Sequence, residues 1–275
     1  MTTLFITGSA GYLGRFLLLN IKKHNFKNII CIINSEKRYK ESEFLFKKCK
    51  IYKGDIKNEN LIQQIFMENK IDFVIHAAAM KYIDTCEIFQ KECINTNIIG
   101  TLNICRQAKK YNVKNVLTIS TDKANNPSSL YGISKLASER ITLSHGFSVY
   151  QGVNFWNSDG SFLQKWKTSI ARNFDVILYN DKHIRFFSMP HDTANEILNL
   201  VINNNNNVNY PKKCFKLKII DVYNILKDKF KDVNFKIESS KENNFDKIEE
   251  EINKDIIVEN ISLNKLKELL NNIFR

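Results

Sequence analysis

Leu4-Phe5-Ile6-Thr7-Gly8-Ser9-Ala10-Gly11-Tyr12-Leu13-Gly14 stands almost at the start of the chain, and an amphipathic stretch, Leu13–Lys23, follows without a break. The apolar run reads as a strand and the amphipathic one as a helix, so the glycines fall on a strand-to-helix turn. Glycine is needed where a chain turns sharply, where its backbone approaches a pyrophosphate, and where a helix packs on a strand. The helix N-terminus adds N–H groups and the positive end of the helix dipole. Three glycines alone are a weak signal; their position between the first strand and the first helix makes them a dinucleotide-binding fingerprint. Thr7, Gly8, Ala10, Gly11, Tyr12, Leu13 and Gly14 are therefore expected to hold a cofactor.

The same rhythm continues outward from this turn. Asn28–Ile33, Cys49–Tyr52, Asp72–His76, Asn115–Ser120 and a segment beginning at Gly146–Val149 read as strands. Asn58–Glu68, Glu92–Tyr111 and Ser129–Leu143 read as the helices between them. Alternating strands and helices predict the α/β class, a Rossmann-type doubly wound parallel sheet. After Val149 the pattern loosens. Ser161–Ile170, His191–Val201, Asp221–Phe230 and Leu263–Phe274 look helical, Val233–Ile237 looks like a strand, and Asn203–Asn209 reads as a polar linker. The Glu249–Glu251 run reads as a solvated helix face. The organisation expected is a dinucleotide-binding domain over 1–150 and a smaller C-terminal substrate-binding domain over 151–275, with segments around 176–202 returning to the first.

Composition narrows the function classes. The 275 residues carry 41 basic and 29 acidic side chains, a net charge of +12. A nucleic-acid binder would gather such an excess into a stripe interleaved with aromatics, whereas here the lysines are spread along the chain. The charge reads as a basic background suited to anionic small molecules, and no nucleic-acid partner is expected. No apolar run approaches the roughly 20 residues of a membrane-spanning helix, so no membrane association is expected. The start, Met1-Thr2-Thr3-Leu4, lacks the basic-then-apolar pattern of a signal peptide. The six cysteines show no paired CxxC spacing, which points to reduced thiols and a cytoplasmic location. No metal site is expected.

Two further segments bear on the cofactor. An Asp or Glu about 20 residues beyond the glycines would hold a ribose 2′-OH. The chain instead has Asn34-Ser35-Glu36-Lys37-Arg38 there, with Ser35, Lys37 and Arg38 able to satisfy a 2′-phosphate. NADP is favoured over NAD; Glu36 would reverse this if the strand ran two residues further. Asp55 and Ile56, after the third strand, can meet the adenine, although Asp55 is equally an ordinary turn residue. Ala77, Ala78 and Ala79, small residues at the end of the fourth strand, let a cofactor lie across the sheet edge.

The chemistry is expected after the fifth strand. Tyr131-Gly132-Ile133-Ser134-Lys135 places Tyr131 and Lys135 four apart, on one helix face. A lysine cation beside a phenol lowers its pKa and makes it a usable base.

From Gly8 to about Asn154 the sequence resembles the extended short-chain dehydrogenases/reductases, and within them the inverting UDP-N-acetylglucosamine 4,6-dehydratases. The resemblance rests on His76-Ala77-Ala78-Ala79-Met80-Lys81, on Asn95-Thr96-Asn97-Ile98-Ile99-Gly100-Thr101, and above all on Ser120-Thr121-Asp122-Lys123-Ala124-Asn125-Asn126-Pro127 leading into Tyr131-Gly132-Ile133-Ser134-Lys135. It implies a lyase in which Tyr131, supported by Lys135, takes the C4 hydroxyl proton, Lys123 removes H5 and Asp122 protonates the departing 6-hydroxyl. The hydride returns to the sugar, so NADP is regenerated. It further implies a UDP-sugar substrate contacted by Lys81, Thr121, Asn154 and Arg185. Lys81 and Lys135 are candidate cations for lowering the pKa of Lys123. Asn97 is counted with the cofactor residues, orienting the active-site lysine and its water network, ahead of the alternative use as a helix N-cap or interior amide.

The chain departs from the family after the Tyr131 helix. Gln151 stands where an Arg is usual, the Arg-Pro-Gly-Glu-Lys loop is missing, and the C-terminal domain is short. The rival expectations are a nucleotide-sugar 4-reductase or epimerase on the same fold, and a non-catalytic nucleotide-binding protein. A homo-oligomer, dimer or higher, is implied through the helices at Glu92–Tyr111 and Ser129–Leu143.

Overall fold

The computed structural model describes residues 2–238 and 250–274. The chain divides into two compact units, Met1–Gly152 with Pro190–Pro211, and Val153–Met189 with Lys212–Arg275.

The first unit is built on β1 (Thr3–Thr7), which is buried at every residue. A strand covered on both faces reads as an unbroken apolar run, which is why Leu4-Phe5-Ile6 identifies it. β1 leads through the glycine turn into α1 (Tyr12–Asn20), then β2 (Asn28–Ile33), α2 (Glu36–Ser42), β3 (Cys49–Lys53), α3 (Glu59–Glu68) and β4 (Phe73–His76). Two short helices follow, α4 (Ile83–Ile88) and α5 (Gln90–Ile94), then a π-turn at Asn95–Ile99, α6 (Gly100–Lys110), β5 (Asn115–Thr121), α7 (Leu130–Ser144) and β6 (Ser148–Gly152). With β10 (Val208–Asn209), which returns to this sheet, the seven strands lie in the order β10-β6-β5-β4-β1-β2-β3, and every neighbouring pair is parallel. The order reverses between β1 and β4, so the connections leave to opposite sides and open a crevice at the carboxyl ends of these strands.

Helix starts follow local chemistry. Asn58 accepts from the Leu61 N–H and caps α3, and Ser129 accepts from the Gly132 N–H and caps α7. Ile62, Ile65 and Phe66, spaced for one face of α3, pack with Phe5, Ile30, Val74 and Ile104. Each such side chain contributes roughly 1.5–3 kcal/mol on full burial.

The single helix expected over Glu92–Tyr111 is broken by the π-turn. The Asn97 carbonyl there accepts the Thr101 hydroxyl at 2.6 Å and the Ser138 hydroxyl at 2.7 Å. Apolar periodicity does not register such a turn, because one extra residue shifts the helical face by less than a third of a turn. The Asn203–Asn209 stretch is not a linker. Asn204 and Asn205 accept from the Ser148 hydroxyl, and β10 (Val208–Asn209) extends the sheet beside β6. α9 (Pro190–Leu200) precedes it, fastened by Asn115 Nδ2 donating to the Val201 carbonyl at 3.1 Å.

In the second unit β7 (Asn154–Phe155), β9 (Ile184–Ser188), β11 (Lys213–Lys218) and β13 (Ile257–Asn260) form a four-stranded sheet, and β8 (Val176–Leu178) pairs with β12 (Phe235–Ile237). α8 (Phe162–Ala171), α10 (Ile219–Lys229) and α11 (Leu263–Ile273) cover a core of Trp156, Trp166, Phe187, Leu217, Tyr223 and Leu270. Of the Glu249–Glu251 run, Glu249 lies outside the described residues. Glu250 is buried and outside any helix, so the solvated helix face is replaced by an interior carboxylate.

Candidate active site

The glycine turn closes against the end of β4. Gly8 has φ +69°, and a Cβ there would stand 2.7 Å from the Ala77 carbonyl carbon and the Ala78 nitrogen. Only glycine lets these backbones touch. The Thr7 hydroxyl spans the same joint, bonded to His76 Nδ1 at 2.7 Å and accepting from the Ala78 N–H at 3.2 Å. His76 Nε2 reaches the Thr101 hydroxyl at 3.0 Å, and burial drives the His76 pKa down to about 3. Gly14 allows α1 to press on the turn, where a Cβ would come within 2.5 Å of the Ser9 α-carbon.

A Cβ at Gly11 would enter the space between the Gly8 carbonyl at 3.0 Å and Arg38 Nη1 at 4.0 Å. This space, at the N-terminus of α1 and beside a guanidinium, fits a phosphate-bearing cofactor. β2 ends at Ile33; Ser35 caps α2 by accepting from the Arg38 N–H, and Glu36 is exposed, facing Lys53 at 3.9 Å. Lys37 is exposed on the same turn of α2. Asp55 accepts from the Lys57 N–H, while Ile56 packs where a Cβ on Gly100 would otherwise lie.

The second cluster joins the end of β5 to α7. Thr121 Oγ1 donates to Asp122 Oδ1 at 2.7 Å, and the same oxygen accepts from the Lys123 N–H at 3.0 Å and Lys123 Nζ at 3.3 Å. The Asp122 side chain is 3% exposed and that of Lys123 25%, so the ion pair is largely screened from water. Gly132 brings this turn onto α7, and Glu87 of α4 accepts the Leu130 N–H at 2.6 Å at the start of the same helix.

Tyr131 shows how far pair spacing carries. Burial pushes its phenol up to about 12; the Lys123 cation pulls it down, Asp122 raises it, and a hydrogen bond with Thr121 lowers it. Lys123 is the cation that lowers the phenol, and burial outweighs it, so Tyr131 stands above its ordinary value rather than below it as the spacing to Lys135 suggested. Lys135 Nζ donates to the Ile119 carbonyl at 2.5 Å, and burial drops it to about 8 against the raising effects of Glu139 and Cys93. Asn97 spends its side chain on structure: Oδ1 accepts the Met80 N–H at 2.8 Å, and Nδ2 donates to the Met80 carbonyl and the Ser134 hydroxyl. It pins the Ala77–Met80 segment to α7. Lys81, next along, lies 5.3 Å over the Tyr82 ring.

In the second unit, Asn154 and Arg185 meet through Glu250. Asn154 Nδ2 donates to Glu250 Oε2 at 2.6 Å, and Arg185 Nε faces Glu250 Oε1 at 3.5 Å. In the first unit Gln151, standing where an Arg was expected, donates to the buried Glu139 at 2.9 Å.

The family described as polysaccharide biosynthesis protein matches residues 4–257. The chain belongs to that family. An uncharacterized membrane protein of Methanocaldococcus jannaschii is 33% identical over 211 residues, covering 73% of this chain and 62% of that protein. A UDP-glucose 4-epimerase of Rickettsia bellii is 31% identical over 211 residues, covering 71% and 61%. The match thus spans about three-fifths of the length of these relatives. A dTDP-glucose 4,6-dehydratase of Streptomyces venezuelae, solved with NAD bound, superposes with a TM-score of 0.81 at 14% identity, covering 98% of this chain and 96% of that one. The fold is that of the short-chain dehydrogenase/reductase epimerases and dehydratases.

Within this polysaccharide biosynthesis fold, three positioning residues escaped the sequence reading. Glu87 and Ser134 hold α7 through contacts made across 43 and 37 residues of chain. Glu250 sits in an acidic run whose composition signals solvent exposure. None has a local sequence signature. Among the described residues no helix is long and apolar enough to cross a membrane.

Proposed function

We propose that this chain is an NADP-dependent UDP-N-acetylglucosamine 4,6-dehydratase that inverts C5, making a 4-keto-6-deoxy sugar nucleotide for glycan synthesis. One observation carries the reading: a carboxyl and an amine, Asp122 and Lys123, are paired at 3.3 Å and both act electrostatically on the Tyr131 phenol. An epimerase needs only the hydride step and one hydroxyl proton; elimination of water needs in addition a base for H5 and an acid for the 6-hydroxyl. When bound, the oxidised nicotinamide would supply a hydride acceptor and a positive charge that opposes the upward effect of burial on the phenol. Tyr131 Oη takes the proton from the 4-hydroxyl, with Thr121 as its hydrogen-bond partner. For these roles the proton of the pair passes from the Lys123 ammonium to the Asp122 carboxylate across their 3.3 Å contact; the neutral Lys123 Nζ then removes H5, acidified by the new ketone, and the protonated Asp122 gives its proton to the departing 6-hydroxyl.

Gly8, Gly11, Gly14 and Ala77–Ala79 are proposed to form the cofactor wall, with Thr7 and Asn97 bracing it and Asp55 and Ile56 at the adenine end. The absence of a carboxylate at the end of β2 and the place of Arg38 beside Gly11 support NADP. Lys81, Asn154 and Arg185 are proposed to take the sugar nucleotide, as is Thr121. A cytoplasmic homo-oligomer is proposed, supported by Ile88, Phe89, Ile94, Ile99 and Ile133, apolar side chains 39–73% exposed on α4 to α7 and the π-turn.

The test is product mass. Incubation with UDP-N-acetylglucosamine should give loss of one water, without net consumption of NADPH. The second reading, a 4-epimerase, is favoured by the names of several relatives. It predicts a product of unchanged mass, and no water loss across UDP- and dTDP-hexoses would overturn the dehydratase.

A further inference from the structure

Glu139 is a buried carboxylate that the reaction above does not use. It lies one turn beyond Lys135 on α7, so the two β-carbons stand about 5–6 Å apart on one helix face. Lys135, Glu139 and Gln151 are 6%, 5% and 4% exposed. α7 packs over β5 and β6, and each of its two charged side chains meets a different strand. Lys135 Nζ donates to the Ile119 carbonyl of β5 at 2.5 Å, and Glu139 Oε1 accepts from Gln151 Nε2 of β6 at 2.9 Å. The two anchors are neighbours, for Ser120, next after Ile119, is the register partner of Gln151. The cluster beneath α7 thus brings together a cation, an anion and a neutral amide.

We infer that Glu139 is the counter-ion of the Lys135 ammonium and that Gln151 is a positioning residue, orienting the carboxylate without neutralising it. The inference goes beyond the choice between dehydratase and epimerase, since it concerns how the chain keeps a charge in its interior. A buried charge is costly unless an opposite charge and hydrogen bonds offset it. The Ile119 carbonyl offers Lys135 a dipole and Gln151 offers Glu139 an N–H, and neither supplies a charge. The two ions therefore offset each other through a water-poor interior, where attraction reaches well beyond contact distance. Burial brings Lys135 down to about 8, and Glu139 and then Cys93 of α5 oppose that fall. His76 of β4 also feels Lys135, and it is neutral in the folded chain with its pKa at about 3. A cation at position 151 would pair with Glu139 and draw its charge away from Lys135. The amide of Gln151 fixes the carboxylate and leaves that charge to Lys135.

The test follows the Lys135 ammonium itself, in the full chain without substrate. Isotope-labelled lysine lets NMR record its titration, and its signal is the one lost in Lys135→Met. The wild-type midpoint should lie at about 8. Glu139→Gln keeps the shape and can still accept from Gln151, but the midpoint should fall by about one pH unit or more. Gln151→Met keeps the bulk and removes the N–H, so the released carboxylate should hold Lys135 less well and the midpoint should fall by a smaller amount. It also serves if Glu139→Gln fails to fold. Added to Glu139→Gln, the Gln151→Met change should lower the midpoint no further, because Gln151 acts through Glu139. An unmoved midpoint in Glu139→Gln overturns the counter-ion. An unmoved midpoint in Gln151→Met, or a full further fall in the double variant, overturns the part given to Gln151. Because no substrate is present, a product assay that rejects the dehydratase leaves this titration fully readable.

Discussion

The backbone carbonyl of Lys123 packs against the α-carbon of Gly132, so closely that a Cβ there would stand 2.6 Å from the oxygen. The adjacent Pro127 side chain is 3.0 Å from the same point. Gly132 thereby lets the turn bearing Asp122 and Lys123 reach the helix bearing Tyr131. Gly132→Ala must push the two apart. It should cost about 1–3 kcal/mol in a urea melt and reduce turnover more than it weakens cofactor binding. Turnover equal to wild type would show that the approach is not needed.

Lys123 and Asp122 should fail at different steps. Lys123→Met should retain cofactor and lose exchange of H5 with solvent deuterium, with turnover down by about 10²-fold or more. Asp122→Asn should keep that exchange and lose elimination of water. NMR of the sugar in heavy water separates the two, and identical phenotypes would cancel the division of labour.

Arg38 should discriminate between cofactors. Arg38→Ala is expected to weaken NADP by about 1.5–3 kcal/mol, the value of hydrogen bonds to charged groups, and to leave NAD nearly unchanged. Fluorescence titration with both dinucleotides measures this. Equal losses would place Arg38 away from the 2′-phosphate.

His76 ties stability to pH. It is neutral and buried between Thr7 and Thr101, with its pKa held at about 3 against 6.5 when free. Because the folded pKa is depressed, the unfolded chain binds the proton first. The stabilisation is complete above about pH 6.5 and falls by about 1.4 kcal/mol for each pH unit below that, down to about pH 3. His76→Gln, less stable at pH 7, should show a shallower loss between pH 6.5 and 4 in parallel denaturant melts.

Ile88 and Phe89 are 73% and 58% exposed on and just after α4. Replacing both with lysine should leave the melting temperature of a monomer unchanged within a degree or two and dissociate an oligomer, read by sedimentation velocity. A wild-type chain that sediments as a monomer removes the proposal.

Much of the first unit could be read from sequence because its signals are local. A fully buried parallel strand must be apolar throughout, and Leu4-Phe5-Ile6 is; a turn whose backbone touches Ala77 must be glycine, and Gly8 is. Tyr131 and Lys135 fall on one helix face by spacing alone. Their protonation is another matter. Lys135 answers to the Ile119 carbonyl and to burial, and the phenol to burial first and then to Lys123, because desolvation and charge act through the folded interior rather than by spacing along a helix.

The sequence by itself determined the glycine turn, the parallel sheet and the chemical identity of the Thr121-Asp122-Lys123 and Tyr131–Lys135 groups. Tertiary structure decided the π-turn that aims the Asn97 carbonyl at Ser138, the return of the Asn-rich segment as β10, and the burial of Glu250 against Arg185. Each of these depends on partners 41 to 65 residues apart in the chain. Periodicity records only which face of an element is apolar, and such partners leave no mark on it.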